Sequence, residues 1–140
     1  MFGKLFFDGS NDPKGVKPAS AGFVLYTYLT EEKRTLGEYN GRFASTLPVP
    51  EHLPQTNNSA EYTGLIAGLA RALTLGVTNL EVIGDSQLVI YQVLGSWRCK
   101  MPHLKPLLEK AHHLNRKFDK ITYEWKRRKH NEADAVSRLE

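Results

Sequence analysis

Three prolines, Pro48, Pro50 and Pro54, divide the chain into two stretches with different hydrophobic periods. Proline fixes φ and removes a backbone donor, so the segment from Ser45 to Gln55 reads as a loop. Before it the sequence offers only strands. Lys4-Leu5-Phe6-Phe7 is a short apolar run that ends at Asp8-Gly9-Ser10. Gly22 to Leu29 is rich in aromatic and β-branched residues, and Arg34 to Ala44 reads as a third strand. Three successive strands without an intervening helix pair as an antiparallel meander.

Beyond the prolines, helix and strand periods alternate. Tyr62, Leu65, Ile66, Leu69 and Leu73 fall at helical spacing, which predicts a helix over Ser59–Leu75 with Gly76 as its C-cap residue. Leu80 to Gly84 reads as a strand ending at Asp85, and a short helix from Gln87 to Leu94 stands directly behind it. Pro102 opens another helix whose apolar stripe includes Leu104, Leu107, Leu108, Ala111, Leu114 and Phe118. Ile121, Tyr123 and Trp125 alternate with polar residues as a fifth strand, and a short helix runs through Leu139. This order predicts an α/β fold, a five-stranded mixed sheet with helices on its faces.

Composition narrows the class. With 140 residues, the chain reads as a single domain over 1–140, large enough to bury a core without disulfides or structural metal. The lone Cys99 excludes an intrachain disulfide framework and a cysteine-based zinc finger. No stretch is apolar enough to span a membrane and no signal peptide is apparent, so the expected location is cytoplasmic and the expected state a monomer. A net charge of +4 permits a polyanionic partner without requiring one. His52, His103, His112 and His113 lack zinc-ligand spacing and read as surface residues.

Four acids stand at element ends: Asp8 after the first strand, Glu61 early in the long helix, Asp85 after the fourth strand and Asp134 at the start of the last helix. Ligands of open α/β sheets bind outside the carboxyl ends of the strands, where these acids could converge. Clustered carboxylates repel one another unless cations lie between them, and hard divalent ions with oxygen ligands, Mg²⁺ or Mn²⁺, suit such a site. Two ions about 4 Å apart can activate water and stabilise the leaving oxygen of a phosphoryl displacement. Three of the acids also have structural readings. Glu61 fits a capping box with Asn58 as N-cap, Asp85 could cap the helix behind it, and Asp134 could favour a helix N-terminus through the dipole. Asp8 has no helix to cap.

The strings Phe7-Asp8-Gly9-Ser10, Thr56-Asn57-Asn58-Ser59-Ala60-Glu61, Gly84-Asp85-Ser86-Gln87 and Asn131-Glu132-Ala133-Asp134 resemble type 1 ribonuclease H in order and spacing, over nearly the whole chain. The resemblance implies a sheet of three antiparallel strands plus two parallel ones. It also implies hydrolysis of the RNA strand of an RNA/DNA hybrid, leaving 3′-hydroxyl and 5′-phosphate ends. Asp8, Glu61, Asp85 and Asp134 map onto the family's metal-binding catalytic acids, for two Mg²⁺ or Mn²⁺ ions. Gly9, Ser10, Asn57, Asn58 and Gln87 are implied to contact the hybrid near the cut, and Thr56 to help hold a phosphate. Short amides suit minor-groove edges and the 2′-hydroxyl.

Two departures stand out. Many relatives carry a histidine in a longer loop before the last acid, linked to product release; here the loop is short, and Arg127 or His130 is expected to replace it, with Arg127 favoured because its guanidinium stays charged. The stretch from Gly95 to Pro102 has no separate basic helix, leaving Trp97, Arg98 and Lys100 as candidate phosphate contacts. Rival readings are a binding module of the same fold that does not cut, a DNA-acting nuclease or integrase of the same fold, and a reverse-transcriptase domain fragment.

Overall fold

The computed structural model describes residues 1–138; Leu139, the expected end of the last helix, lies outside the described residues. Five strands form one mixed sheet in the order β3-β2-β1-β4-β5: β1 (Phe2–Ser10), β2 (Ser20–Tyr28), β3 (Gly41–Pro48), β4 (Asn79–Gly84) and β5 (Lys120–Trp125). The pairs β1–β2 and β2–β3 are antiparallel, whereas β1–β4 and β4–β5 are parallel. The helices are α1 (Glu31–Thr35), α2 (Asn57–Thr74), α3 (Gln87–Val93) and α4 (Lys105–Asn115).

The expected meander is present, but its third strand is displaced. Arg34 to Ala44 is not one strand, because Thr30 caps a helical turn by accepting from Lys33 N at 3.1 Å, with Glu31 and Glu32 in the first turn. β3 begins only at Gly41 and extends through Ser45 to Pro48, into the expected loop. Proline is tolerated there because β3 is the edge strand. The fourth helix starts at Lys105 rather than Pro102, with Pro106 in its first turn. The final segment is a 3₁₀ turn over Arg128–His130 followed by further turns, not the expected helix.

Alternation along the strands divides the apolar residues between two faces. Leu5, Phe7, Leu25 and Val82 pack with Tyr62, Leu65 and Leu69 of α2, Val89 and Ile90 of α3, and Ala111 and Leu114 of α4. Phe6, Val24 and Ile83 on the other face meet only Ala133, with Tyr26 and Val136 at the margin. One face is thus sealed by three helices and the other only partly covered by the last segment.

Candidate metal centre

Parallel pairing aligns the C-terminal ends of β1 and β4. In the register Phe7 faces Gly84, so Asp8 and Asp85, each one residue beyond that pair, stand side by side. α2 brings Glu61 to the same rim because it packs against the end of β1 at Gly9. A Cβ at Gly9 would lie 2.5 Å from Glu61 N and 2.7 Å from Ala60 Cβ, so a side chain there would push the helix away. Gly22 similarly admits the last segment, where a Cβ would meet the Val136 carbonyl at 2.6 Å. Asp134 sits on that segment.

One carboxylate oxygen each of Asp8, Glu61 and Asp85 lies within 4.8 Å of the others. Asp8 is 3% exposed and Glu61 4%. Asp8 Oδ1 accepts from Gly9 N at 2.9 Å, while Glu61 Oε2 is buried and without a hydrogen-bond partner. Desolvation by burial, opposed by hydrogen bonding and reinforced by the Asp85 charge, pushes Asp8 up from 3.8 to about 6. Burial and the neighbouring Asp8 hold Glu61 well above its usual range, and burial also raises Asp85. An orphaned buried carboxylate oxygen beside two crowded acids fits a hard divalent cation as the missing partner.

The capping explanations do not survive the geometry. Thr56, not Asn58, is the N-cap of α2, with Oγ1 accepting from Ser59 N at 3.2 Å; Glu61 therefore lies too deep in the helix to reach back as a capping-box residue. Ser86 caps α3 by accepting from Val89 N, which leaves the Asp85 carboxylate free of that task.

Asp134 stands apart from the other three. Its partial burial would raise it, but the hydrogen bond from Arg128 and the nearby Arg138 hold it below the usual carboxylate range. Arg128 Nε donates to Asp134 Oδ1 at 2.9 Å and Arg138 lies 3.3 Å from Oδ2. Arg128 also lines the depression of about 350 Å³ formed with Asp8, Gly9, Ser10, Asn11, Asn57, Glu61 and Asp85.

The structure does not bring Arg127 or His130 to the acids. Both border a separate depression with Lys4, Phe6, Lys126 and Glu132, and Arg128 is the cation that faces the carboxylates. Arg127 precedes a 3₁₀ turn, and the next side chain, Arg128, is the one that lines the acidic depression. Thr56, Asn57 and Gln87 are exposed near the ends of α2 and α3, and Asn58 is half-buried. Trp97 is 46% exposed and packs on Tyr91 with ring centroids 5.2 Å apart. Among the described residues no helix lies between α3 and α4, in agreement with the missing basic helix. His103 and His112 are half-buried rather than surface residues, with His112 Nε2 3.0 Å from Val93 O.

Two contributors were missed from sequence. Asn11 lines the depression, and Asn131 is a buried linchpin: its Nδ2 donates to Phe7 O at 2.8 Å while its Oδ1 accepts from Ala133 N at 3.1 Å. This side chain ties the segment bearing Asp134 to the strand bearing Asp8. Its place at the head of the Asn131-Glu132-Ala133-Asp134 string was the available signal.

A family model described as reverse transcriptase-like matches residues 8–138, a span containing all four acids. The sequence is 39% identical over 119 residues to the bifunctional protein Rv2228c of Mycobacterium tuberculosis, covering 81% of this chain and 28% of that protein. It is 41% identical over 137 residues to Ribonuclease HI of Halobacterium salinarum, covering 94% of this chain and 60% of that protein. The chain thus spans less than two thirds of the length of these curated relatives. The solved N-terminal RNase H domain of Rv2228c, a fusion with maltose binding protein, is similar with a TM-score of 0.78 at 34% identity, covering 97% of this chain and 90% of that one. RNase H1 of Halobacterium salinarum gives 0.79 at 31%, covering 98% and 95%. LC11-RNase H1, isolated from compost and solved in complex with an RNA/DNA hybrid, gives 0.74 at 26%, covering 96% and 92%. With a family model spanning residues 8–138 and solved RNase H relatives above 30% identity over nearly their full lengths, the chain belongs to the ribonuclease H group of the reverse transcriptase-like family.

Proposed function

We propose that residues 1–140 act as one metal-dependent ribonuclease H domain that hydrolyses the RNA strand of RNA/DNA hybrids to 3′-hydroxyl and 5′-phosphate products. The observation that carries this reading is the trio Asp8, Glu61 and Asp85 within 4.8 Å, with Glu61 Oε2 buried and unpartnered. Asp8, Asp85 and Glu61 would hold Mg²⁺ or Mn²⁺, with Asp134 contributing to a second ion once released from Arg128. Such a pair of ions supplies water activation and stabilisation of the leaving oxygen in phosphodiester hydrolysis.

The remaining work falls to the chain itself. Asn57 and Gln87, exposed beside the acids, and Asn58 can present amides to the minor groove, while Gly9, Ser10 and Asn11 form the floor against which the RNA strand lies. Thr56 holds the start of α2 and leaves an exposed face toward a phosphate. Arg128 supplies fixed positive charge beside the scissile phosphate, the task first expected of Arg127. The named relatives support this reading: one is Ribonuclease HI and another was solved with an RNA/DNA hybrid.

The test is incubation with Mg²⁺ or Mn²⁺ and end-labelled RNA/DNA hybrid, duplex RNA, duplex DNA and single strands. Cutting of the RNA strand in the hybrid, abolished by chelation and by Asp8→Asn, is expected. Preferred cutting of duplex DNA would establish the rival DNA-acting nuclease, and tight binding with no cutting would establish a binding module.

A further inference from the structure

The basic run Lys126-Arg127-Arg128-Lys129-His130 divides between two faces of the molecule. Lys126 N donates to Gly84 O at 3.0 Å, which pins the run to the rim of β4 beside Asp85. From there Arg128 reaches Asp134 and the acidic depression. Arg127 and His130, drawn together by the His130 N to Arg127 O bond of 2.8 Å, instead border a broad depression of about 540 Å³ shared with Lys4, Phe6, Lys126 and Glu132. Among the described residues no ion pair involves Lys4, Lys126, Arg127 or His130. The carboxylate in the lining, Glu132, is occupied by Tyr26, whose hydroxyl donates to it at 2.5 Å.

The strip continues across the sheet. Lys4 is paired with Tyr26 and Tyr26 with Arg42 in the strand registers, so the three lie in one row on the face opposite α2. The Arg42 guanidinium sits 5.9 Å from the Tyr26 ring, and Tyr39, 53% exposed, packs on Tyr26 with centroids 5.0 Å apart. Glu81, opposite Lys4 on β4 and within 3.8 Å of Arg34, and Glu124 on β5 bound the strip on its other side. A row of basic groups ending on an exposed aromatic ring suits a phosphate backbone with a base to stack.

We propose that this face is a second nucleic-acid site, which holds a single-stranded extension of the polynucleotide whose paired part lies at the acidic rim. The same short loop serves both places: a strand passing Arg128 meets Arg127, His130 and Lys126 next, then Lys4, then Arg42 and Tyr39. An acidic polypeptide would share the charge preference, but it would not use the aromatic end. The proposal rests on the ribonuclease reading for the identity of its partner.

Fluorescence anisotropy with a single-stranded RNA of about 12 nucleotides, a length within the range of one such groove, tests it without any cleavage. The paired variant Lys4→Ala/Arg127→Ala should weaken binding about tenfold. Its slope of log K against log salt should be shallower by about 1.4, the contribution of two phosphate contacts to a single strand. Cleavage of a blunt hybrid should stay within about twofold of wild type, because neither residue borders the acids. Lys4→Gln/Arg127→Gln should behave alike, which separates lost charge from lost fold. A hybrid carrying a single-stranded RNA tail should bind wild type more tightly than the blunt hybrid, and the variant should lose that advantage. Unchanged affinity of the variants for the single strand would overturn the proposal, as would tighter wild-type binding of a poly-glutamate peptide than of the RNA. Failure of the wild type to cut blunt hybrid would instead refute the ribonuclease reading while leaving the binding result to stand by itself.

Discussion

Depressions of nearly equal size lie at the two ends of the parallel β1–β4 pair, about 350 Å³ at the acidic rim and about 360 Å³ at the far end, yet their charges are arranged in opposite ways. At the far end, Arg34 stands between Glu31 at 3.5 Å and Glu81 at 3.8 Å, and Lys120 lines the same space. Arg34 balances both glutamates, and all three keep access to water. At the acidic rim, Asp8, Glu61 and Asp85 crowd together while the nearest guanidinium is bound to Asp134. Folding gains nothing from burying like charges, so an unbalanced cluster marks chemistry where a balanced pocket of the same volume does not.

The largest contrast concerns activity. Asp8→Asn or Asp85→Asn should lower hybrid cleavage on the order of 10³-fold, equivalent to about 4 kcal/mol of transition-state stabilisation, whereas Arg34→Ala should leave initial rates within about twofold. Wild-type turnover in either Asn variant, or an equal loss in Arg34→Ala, would erase the distinction between the two ends.

The second contrast is pH dependence without metal. Asp8 is raised to about 6, so between 3.8 and 6 the folded protein binds more protons than the unfolded chain, and stability falls as pH rises through that window. The loss grows as pH rises through about 6, where the Asp8 carboxyl must ionise beside Glu61 and Asp85. Asp8→Asn should flatten the profile and raise the Tm of chelated protein at pH 8, while Mg²⁺ should stabilise wild type more than the variant. Thermal melts from pH 4 to 8 with and without metal measure both. A wild-type profile that rises through this window would contradict the crowding of the acids.

Backbone approach gives a third. Gly9→Ala places a methyl group 2.5 Å from the α2 backbone and should cost about 2 kcal/mol in urea unfolding, together with lost metal affinity as Glu61 moves. Gly3→Ala at the opposite end meets only the tips of Leu80 and Val77 at 3.0 Å and should cost about 1 kcal/mol or less, with metal affinity unchanged. Equal metal affinity in both variants would break the link between Gly9 and Glu61.

Smaller still, Arg128→Ala should reduce kcat about tenfold, or about 1.4 kcal/mol, with Arg127→Ala near wild type on a blunt hybrid. The reverse outcome would return the catalytic cation to Arg127. The smallest effect belongs to the balanced end, where Arg34→Ala should destabilise by less than about 1 kcal/mol in urea unfolding, since partly exposed ion pairs contribute little.

Period and punctuation carried most of the fold. The apolar run at Leu5–Phe7, the helical spacing from Tyr62 to Leu73 and the alternation from Ile121 to Trp125 are local consequences of which face each residue must bury, and each forms the expected element. The convergence of Asp8, Glu61 and Asp85 was also legible, because each stands at or near an element boundary on one rim of the sheet. Arg34 to Ala44 was misread because a Thr30 cap with two glutamates competes with strand-forming residues, and pairing with β2 then chose Gly41–Pro48. What tertiary structure alone decided is where neighbouring residues point. Arg127 and Arg128 are chemically equivalent in a basic run, and a 3₁₀ turn pinned by Asn131 sends one to the acids and the other to the opposite sheet face. Likewise, Glu61 became a buried carboxylate with one unpartnered oxygen only when Gly9 let α2 settle against β1, because burial and charge crowding belong to the packed molecule rather than to any local stretch of chain.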